Sequence, residues 1–398
     1  MDFRNEKAKK LKQGAIRAMF DRAATMTDVI SMGIGEPDMP TPELVCRAGA
    51  EALQQGLTHY TPNAGTMQLR RAIAERASVA PVGYDPAQEI IITNGGMGAL
   101  SLLFLVILND GDEILIQDPQ WLNYVAQVQY CGGVPVRVPT KAEDRFAMQP
   151  DVIESLITPR TKAIMVNSPN NPTGEVYSDE QLAAIAAIAE KHDLLVISDE
   201  VYNTLLYTGA KFRSIAELPG MKARTVVVNS FSKSYAMTGW RIGYAAAPAK
   251  IAKAMSSFQS HSTSNANSIA QHAAAVAMTN GEAIIAEMVK EFAARRDLLV
   301  RLIAETPLLK ANTPEGAFYV MLNISGVLGK RYQGAEITGS DSFAEMLINA
   351  KQVAVVPGKA LGELAKILED SANPVSLRFG KSRLHRALSS FIVNFQSL

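Results

Sequence analysis

Apolar residues fall along this chain in two alternating rhythms. Short, unbroken runs of Ile, Val, Leu and Ala predict strands at Glu89–Thr93, Glu113–Gln117, Val134–Val138, Ala163–Asn167, Leu194–Ser198, Val226–Asn229 and Ile242–Ala246. Between several of them lie helical patterns, such as Ser178–His192 with its Ala/Ile/Leu stripe. Alternation of this kind predicts the α/β class, with an open, mostly parallel sheet of seven strands covered by helices on both faces. After about Ala247 the rhythm turns to long helices, through Arg295 and on to Glu305. Strand patterns near Ala317–Leu322, Gln352–Val356 and Val375–Phe379 follow, with a closing helix from Ser382. The break predicts a large domain over 46–285 and a smaller α+β domain made of 286–398 with the N-terminal arm 1–45. No repeat, low-complexity tract or linker is visible.

Composition narrows the classes. Of 398 residues 47% are hydrophobic, ample for a sizeable core. The 39 basic and 39 acidic residues balance at a formal charge of +0, which gives no sign of a nucleic-acid or membrane-surface partner. Cys46 and Cys131 show no C-x-x-C spacing and look like free thiols in a reducing compartment. The first ten residues are charged and carry no apolar core, so a secretory signal is not expected. The longest greasy run, Leu100–Leu108, is less than half a membrane span. A soluble, cytoplasmic protein is the expectation.

The unusual residues gather where predicted strands end, which is where ligands bind in open α/β sheets. Ser230-Phe-Ser-Lys233-Ser-Tyr-Ala-Met-Thr-Gly-Trp-Arg241-Ile-Gly243 follows a strand run. A lysine held near the interior is favoured in its neutral, nucleophilic form, as a Schiff-base lysine requires. Arg241 offers a planar fork of donors suited to a phosphate. Together they suit a phosphorylated aldehyde cofactor. Thr93-Asn-Gly95-Gly96-Met97-Gly98 ends a strand and opens an apolar helix; its free N–H groups would bind an anion, or simply make a strand–helix turn. Asp199, in Ile197-Ser-Asp199-Glu200-Val-Tyr202, would pair with a protonated ring nitrogen or cap a helix. Tyr202 and Asn171, the latter in Asn167-Ser-Pro-Asn-Asn171-Pro172-Thr-Gly174, are candidate donors to a phenolic oxygen. Ser168–Pro169 and Asn171–Pro172 are candidate cis bonds. Trp121 could stack on an aromatic cofactor or pack in the core. The loops around Tyr60 and Gly33-Ile-Gly35-Glu-Pro-Asp38 read as surface loops whose chemistry names no function.

Taken together, these motifs resemble the class I/II aminotransferases, pyridoxal-phosphate enzymes of fold type I, from Gly33 to the C-terminus. The S-x-S-K-x-x-x-x-x-G-x-R-x-G loop, N-N-P-T-G and D-E-x-Y carry the likeness, and the Tyr60 loop and G-E-P-D turn fit it. The resemblance implies that Lys233 holds pyridoxal 5'-phosphate as an imine and then moves the substrate proton. It implies that Asp199 pairs with the ring nitrogen, that Asn171 and Tyr202 bond the phenolic oxygen, and that Trp121 stacks on the ring. Gly95, Gly96, Met97, Ser230 and Arg241 would grip the phosphate. Tyr60 would reach the phosphate of a second subunit in a homodimer, and Gly35 would lie beside the substrate, with Trp121 and Asn171. One departure concerns the usual V-R-x-S-[FY]-A strand, here Val375-Ser376-Leu377-Arg378-Phe379-Gly380. Without a gap, Ser376 takes the place of the arginine that binds the substrate carboxylate. Arg378 then stands two residues on, roughly 6–7 Å along the same strand face, as displaced carboxylate ligand or as a structural ion pair.

The implied reaction carries the amino group of an L-amino acid to a 2-oxo acid, 2-oxoglutarate being the expected acceptor. The same site could instead serve a lyase or an oxidase. A regulator's sensor domain is disfavoured because only some thirty residues precede Gly33, too few for a fused DNA-binding motif. The five histidines form no H-x-x-x-H or H-E-x-x-H cluster, so no metal is expected.

Overall fold

The computed structural model describes residues 2–5, 8–9, 25–33, 35–76 and 79–362, together with the backbone of 374–378. Seven strands form the main sheet: β1 (Ile90–Thr93), β2 (Glu113–Asp118), β3 (Val134–Pro139), β4 (Thr161–Asn167), β5 (Leu195–Asp199), β6 (Thr225–Ser230) and β7 (Gly243–Ala246). Their spatial order is β1-β7-β6-β5-β4-β2-β3. Only β7 runs antiparallel to its neighbours β1 and β6. All seven predicted strands are present, shifted by a residue or two at their ends.

The continuous apolar runs have a physical reason. Every residue of β1, β2 and β6 is buried, because helices cover both sheet faces and no side needs to be polar. Strand β3 is the exception. It is exposed at both ends, with Val138 its one buried residue, and it carries Pro135 and Pro139, which an edge strand tolerates because its outer N–H groups have no neighbouring strand in the sheet. Helix Asp179–Lys191 starts at a reciprocal cap: Gln181 N–H donates to Ser178 Oγ (3.3 Å) and Ser178 N–H to Gln181 Oε1 (2.8 Å).

Beyond β7 come helices Ala249–Ser262, Ser268–Asn280 and Glu282–Ala304, then a small antiparallel sheet. Strand Tyr319–Asn323 is central there, with Pro374–Arg378 on one side and Lys310–Ala311 on the other. The expected strand Gln352–Val356 is corrected to two short pieces. Val353–Ala354 pairs parallel with Ile30–Ser31, and Val356–Pro357 pairs with the strand of Ser376. The chain switches partners at Val355, so no single ladder can run through. The expected helix from Ser382 lies outside the described residues. One core joins Met32 and Tyr202 to Phe292, Phe318 and Phe343, so the N-terminal segment packs with the C-terminal region.

Candidate active site

The carboxyl ends of β4, β5 and β6 are adjacent, and that of β1 lies across antiparallel β7 from β6. Thr93 and Ser230 both stand opposite Gly243, and Asn167 stands opposite Asp199. Lys233 is on the short helix Phe231–Ser234 that follows β6 directly, and it is half-buried. Its Nζ donates to the Gly35 carbonyl and lies 5.8 Å from the centre of the Phe318 ring. The G-E-P-D turn is therefore not a surface loop, as its chemistry suggested. Pairing of Ile30–Ser31 with Val353–Ala354 lays it over the site, where Pro37 is buried and Asp38 pairs with Arg295 at 2.8 Å.

Asp199, the last residue of β5, is 4% exposed. Its Oδ2 accepts from the Tyr124 hydroxyl at 2.6 Å and its Oδ1 from Val201 N–H at 3.2 Å. Burial pushes the carboxyl up to about 6, against the opposing pull of Tyr124, Val201 N–H and the Lys233 charge. The Asn167 side-chain amide donates to the Asp199 carbonyl at 3.0 Å, and Asn167 Oδ1 accepts from Asn171 N–H at 2.8 Å. The Asn171 loop is thereby fixed to the end of β5. Ser168–Pro169 and Asn171–Pro172 are both cis, and so is Asp118–Pro119, which was not expected.

Tyr202 is buried, and its hydroxyl stands 2.8 Å from that of Tyr319. Asn171 Nδ2 donates toward both, at 3.5 and 3.4 Å. Burial holds the Tyr202 phenol well above its ordinary range.

Gly95, Gly96 and Met97 open helix Gly95–Ile107, whose first turn has no side-chain cap. Gly95 has φ +70°, and a Cβ placed there would come within 2.7 Å of Arg241 Nη2. A side chain at this position is excluded twice, by backbone and by space. Arg241, exposed and itself left-handed, anchors Nη1 on the Thr238 carbonyl at 2.9 Å. Ser230 closes the far side, its Cβ 3.7 Å from where one on Gly96 would be.

Trp121 is half-buried and meets Tyr124 edge-on at 5.2 Å. Tyr60 is 90% exposed. Arg378 occupies the register position opposite Tyr319, and Ser376 that opposite Met321.

Sequence reasoning missed Tyr124 and Tyr319. Tyr124 carried a faint signal, because it follows Trp121 by one helical turn and so shares its face. Tyr319 carried none, since its partners are more than a hundred residues away.

The family model for aminotransferase class I and II matches residues 27–379. The chain belongs to this family. An aspartate aminotransferase of Geobacillus stearothermophilus is 39% identical over 97% of this chain and 95% of its own. The Thermus thermophilus aspartate aminotransferase solved with maleate superposes with TM-score 0.89 at 38% identity, covering 99% of this chain and 100% of that one. An aromatic aminotransferase from Pyrococcus horikoshii gives 0.84 at 38%, covering 95% and 98%. The chain is thus an aminotransferase of fold type I that uses pyridoxal 5'-phosphate and takes small amino and 2-oxo acids. Among the described residues no helix is long and apolar enough to cross a membrane, and no three His, Cys, Asp or Glu side chains gather as a metal site.

Proposed function

We propose that this aminotransferase carries the amino group of an L-amino acid to 2-oxoglutarate at the site around Lys233. The observation that carries the reading is the position of Lys233: its amine is held on the Gly35 carbonyl, on the helix that leaves β6 beside Asp199. Two features fit the cofactor. The hollow at Gly95, which a Cβ would fill against Arg241, suits a phosphate held by Gly95, Gly96, Met97, Ser230 and Arg241. The buried carboxylate of Asp199 suits a protonated ring nitrogen.

When bound, pyridoxal phosphate supplies a ring that accepts the electron pair left at the substrate Cα. The chain's residues do the rest. Lys233 would hold the group through its aldehyde carbon and, once the substrate amine displaces it, would take and return the proton at Cα. Asp199 keeps the ring nitrogen protonated. Asn171 and Tyr202 would donate to the ring oxygen, and Trp121 would cover the ring face. Gly35 leaves room for the substrate, and Arg378, at its place opposite Tyr319, binds the substrate carboxylate.

The wider frame belongs to the same proposal. The large domain spans 46–285, and 1–45 joins 286–398, a division supported by the pairing of Ile30–Ser31 with Val353–Ala354. Tyr60, exposed in one chain, completes the phosphate site of the other in a homodimer. The free thiols Cys46 and Cys131 support a cytoplasmic setting.

The relatives carry aspartate and aromatic names, so the donor is the property to measure. A panel of amino donors with 2-oxoglutarate, read by product chromatography, identifies it. Lys233→Ala should lose the borohydride-trappable adduct and at least about 10³-fold in turnover. Retention of both would sink the assignment, and ammonia release without an acceptor would favour elimination or oxidation over transfer.

A further inference from the structure

We propose that Tyr319 is a third member of the Asn171–Tyr202 pair, a positioning residue that sets the donor strength of Tyr202 toward the ring oxygen of the cofactor. The proposal rests on the reading of Lys233 and its neighbours given above. Three hydrogen-bonding groups form a triangle here, with Tyr202 Oη 2.8 Å from Tyr319 Oη, and Asn171 Nδ2 3.5 Å from the first and 3.4 Å from the second. Both tyrosines are buried, at 3% and 5% exposure, so water does not compete for these hydroxyls. Their rings meet edge-on at 5.7 Å, which fixes the direction of each C–O bond.

A hydroxyl has one proton to donate. If Tyr202 is to donate toward a ligand oxygen, its own oxygen is left to accept, and the nearest hydroxyl is that of Tyr319. Tyr319 in turn accepts from Asn171 Nδ2, which keeps a second N–H for the same ligand. The chain Asn171 N–H to Tyr319 O–H to Tyr202 O–H polarises the last donor more strongly than Tyr202 alone would achieve. A stronger donor stabilises negative charge on the ring oxygen. Tyr319 therefore lowers the pH at which the bound cofactor loses its proton.

The arrangement also explains a glycine. A Cβ on Gly35 would stand 2.5 Å from Tyr319 Oη, so any side chain there pushes this hydroxyl aside. Gly35 and Tyr319 come from opposite ends of the chain, and Tyr319 lies on the strand that pairs with Pro374–Arg378. The small sheet thus contributes to proton placement at the cofactor, as well as to substrate binding.

The test uses the holoenzyme and reads the visible absorbance of the bound cofactor against pH. Tyr319→Phe should move the midpoint upward by about half a unit to one unit, the worth of one hydrogen bond. Gly35→Ala should move it in the same direction with Tyr319 intact. The double variant Tyr202→Phe/Tyr319→Phe should titrate like Tyr202→Phe alone, because the effect passes through Tyr202. A midpoint unmoved in a folded, cofactor-loaded Tyr319→Phe enzyme overturns the proposal. So does a downward shift, which would make Tyr319 a competitor for the Tyr202 proton. If the Lys233 reading itself is at fault, the wild-type enzyme shows no titrating visible band, a distinct outcome.

Discussion

Asp199 and Glu200 are adjacent carboxylates at the end of one strand, and they live in opposite worlds. Both are almost fully buried, at 4% and 1% exposure, and burial pushes both acids up, to about 6 and about 8. Asp199 turns toward the cleft, where it is held by a tyrosine hydroxyl and a backbone N–H in the field of Lys233. Glu200 turns away from it and takes two serine hydroxyls, Ser198 at 2.9 Å and Ser214 at 2.5 Å, with Glu217 and Asp199 as its charged neighbours. A carboxyl near a cation is prepared to be an anion, whereas one among hydroxyls and other acids is prepared to stay neutral. Burial alone therefore does not mark the functional carboxyl. The sign of the surrounding charge does.

The largest effect should come from the cleft side. Asp199→Asn keeps shape and burial but removes the charge that stabilises a protonated ring, and turnover should fall on the order of 10²–10³-fold. Cofactor affinity gives a second reading. In the wild type it should weaken as pH falls through about 6, where Asp199 gains its proton, and the Asn variant should lose that dependence. An Asn variant within a few-fold of wild-type turnover would erase the contrast between the two acids.

Tyr124→Phe should have a smaller effect. It deletes the shortest hydrogen bond to Asp199 while leaving Val201 N–H and the field of Lys233 in place. The carboxyl should rise further, and the pH below which cofactor binds weakly should rise with it. Turnover should drop about tenfold, the worth of a hydrogen bond to a charged group. An unchanged binding profile would mean that Tyr124 packs against Trp121 without tuning the acid.

What the sequence made legible divides along similar lines. The strands of the main sheet could be placed because helices bury both faces, which writes them as unbroken apolar runs. The strand-end positions of Lys233, Asp199 and Asn171 followed, since each chemical motif directly trails such a run. Tyr319 could not be placed this way. Its role depends on a strand of the small sheet meeting a loop and an N-terminal turn far away in sequence, and no local pattern encodes that meeting. The G-E-P-D turn failed for the same reason, because its burial comes from the pairing of residues 30–31 with 353–354. The split at Val355 was hidden because consecutive apolar residues look alike whether one partner strand or two receive them.

Glu200→Gln should have the smallest effect on turnover, within about twofold, and it sharpens the contrast through stability instead. The glutamine Oε1 can accept the same two serine hydroxyls, and its amide nitrogen replaces Oε2, which has no hydrogen-bond partner in the structure. The substitution thus copies the protonated acid. In the wild type the folded carboxyl at about 8 lies above its ordinary value of 4.5. Between those limits the folded chain keeps a proton that the unfolded chain has lost. The contribution of Glu200 is full below the ordinary value, falls as pH rises through the window by at most about 1.4 kcal/mol per pH unit, and is lost above about 8. Glutamine has no proton to lose. The thermal midpoint of the variant, measured against wild-type apoenzyme, should therefore gain steadily from pH 5 to pH 8 and then level off. A difference that stays flat across the window would show that Glu200 is ionised in the fold, and that the two neighbouring acids are not opposites after all.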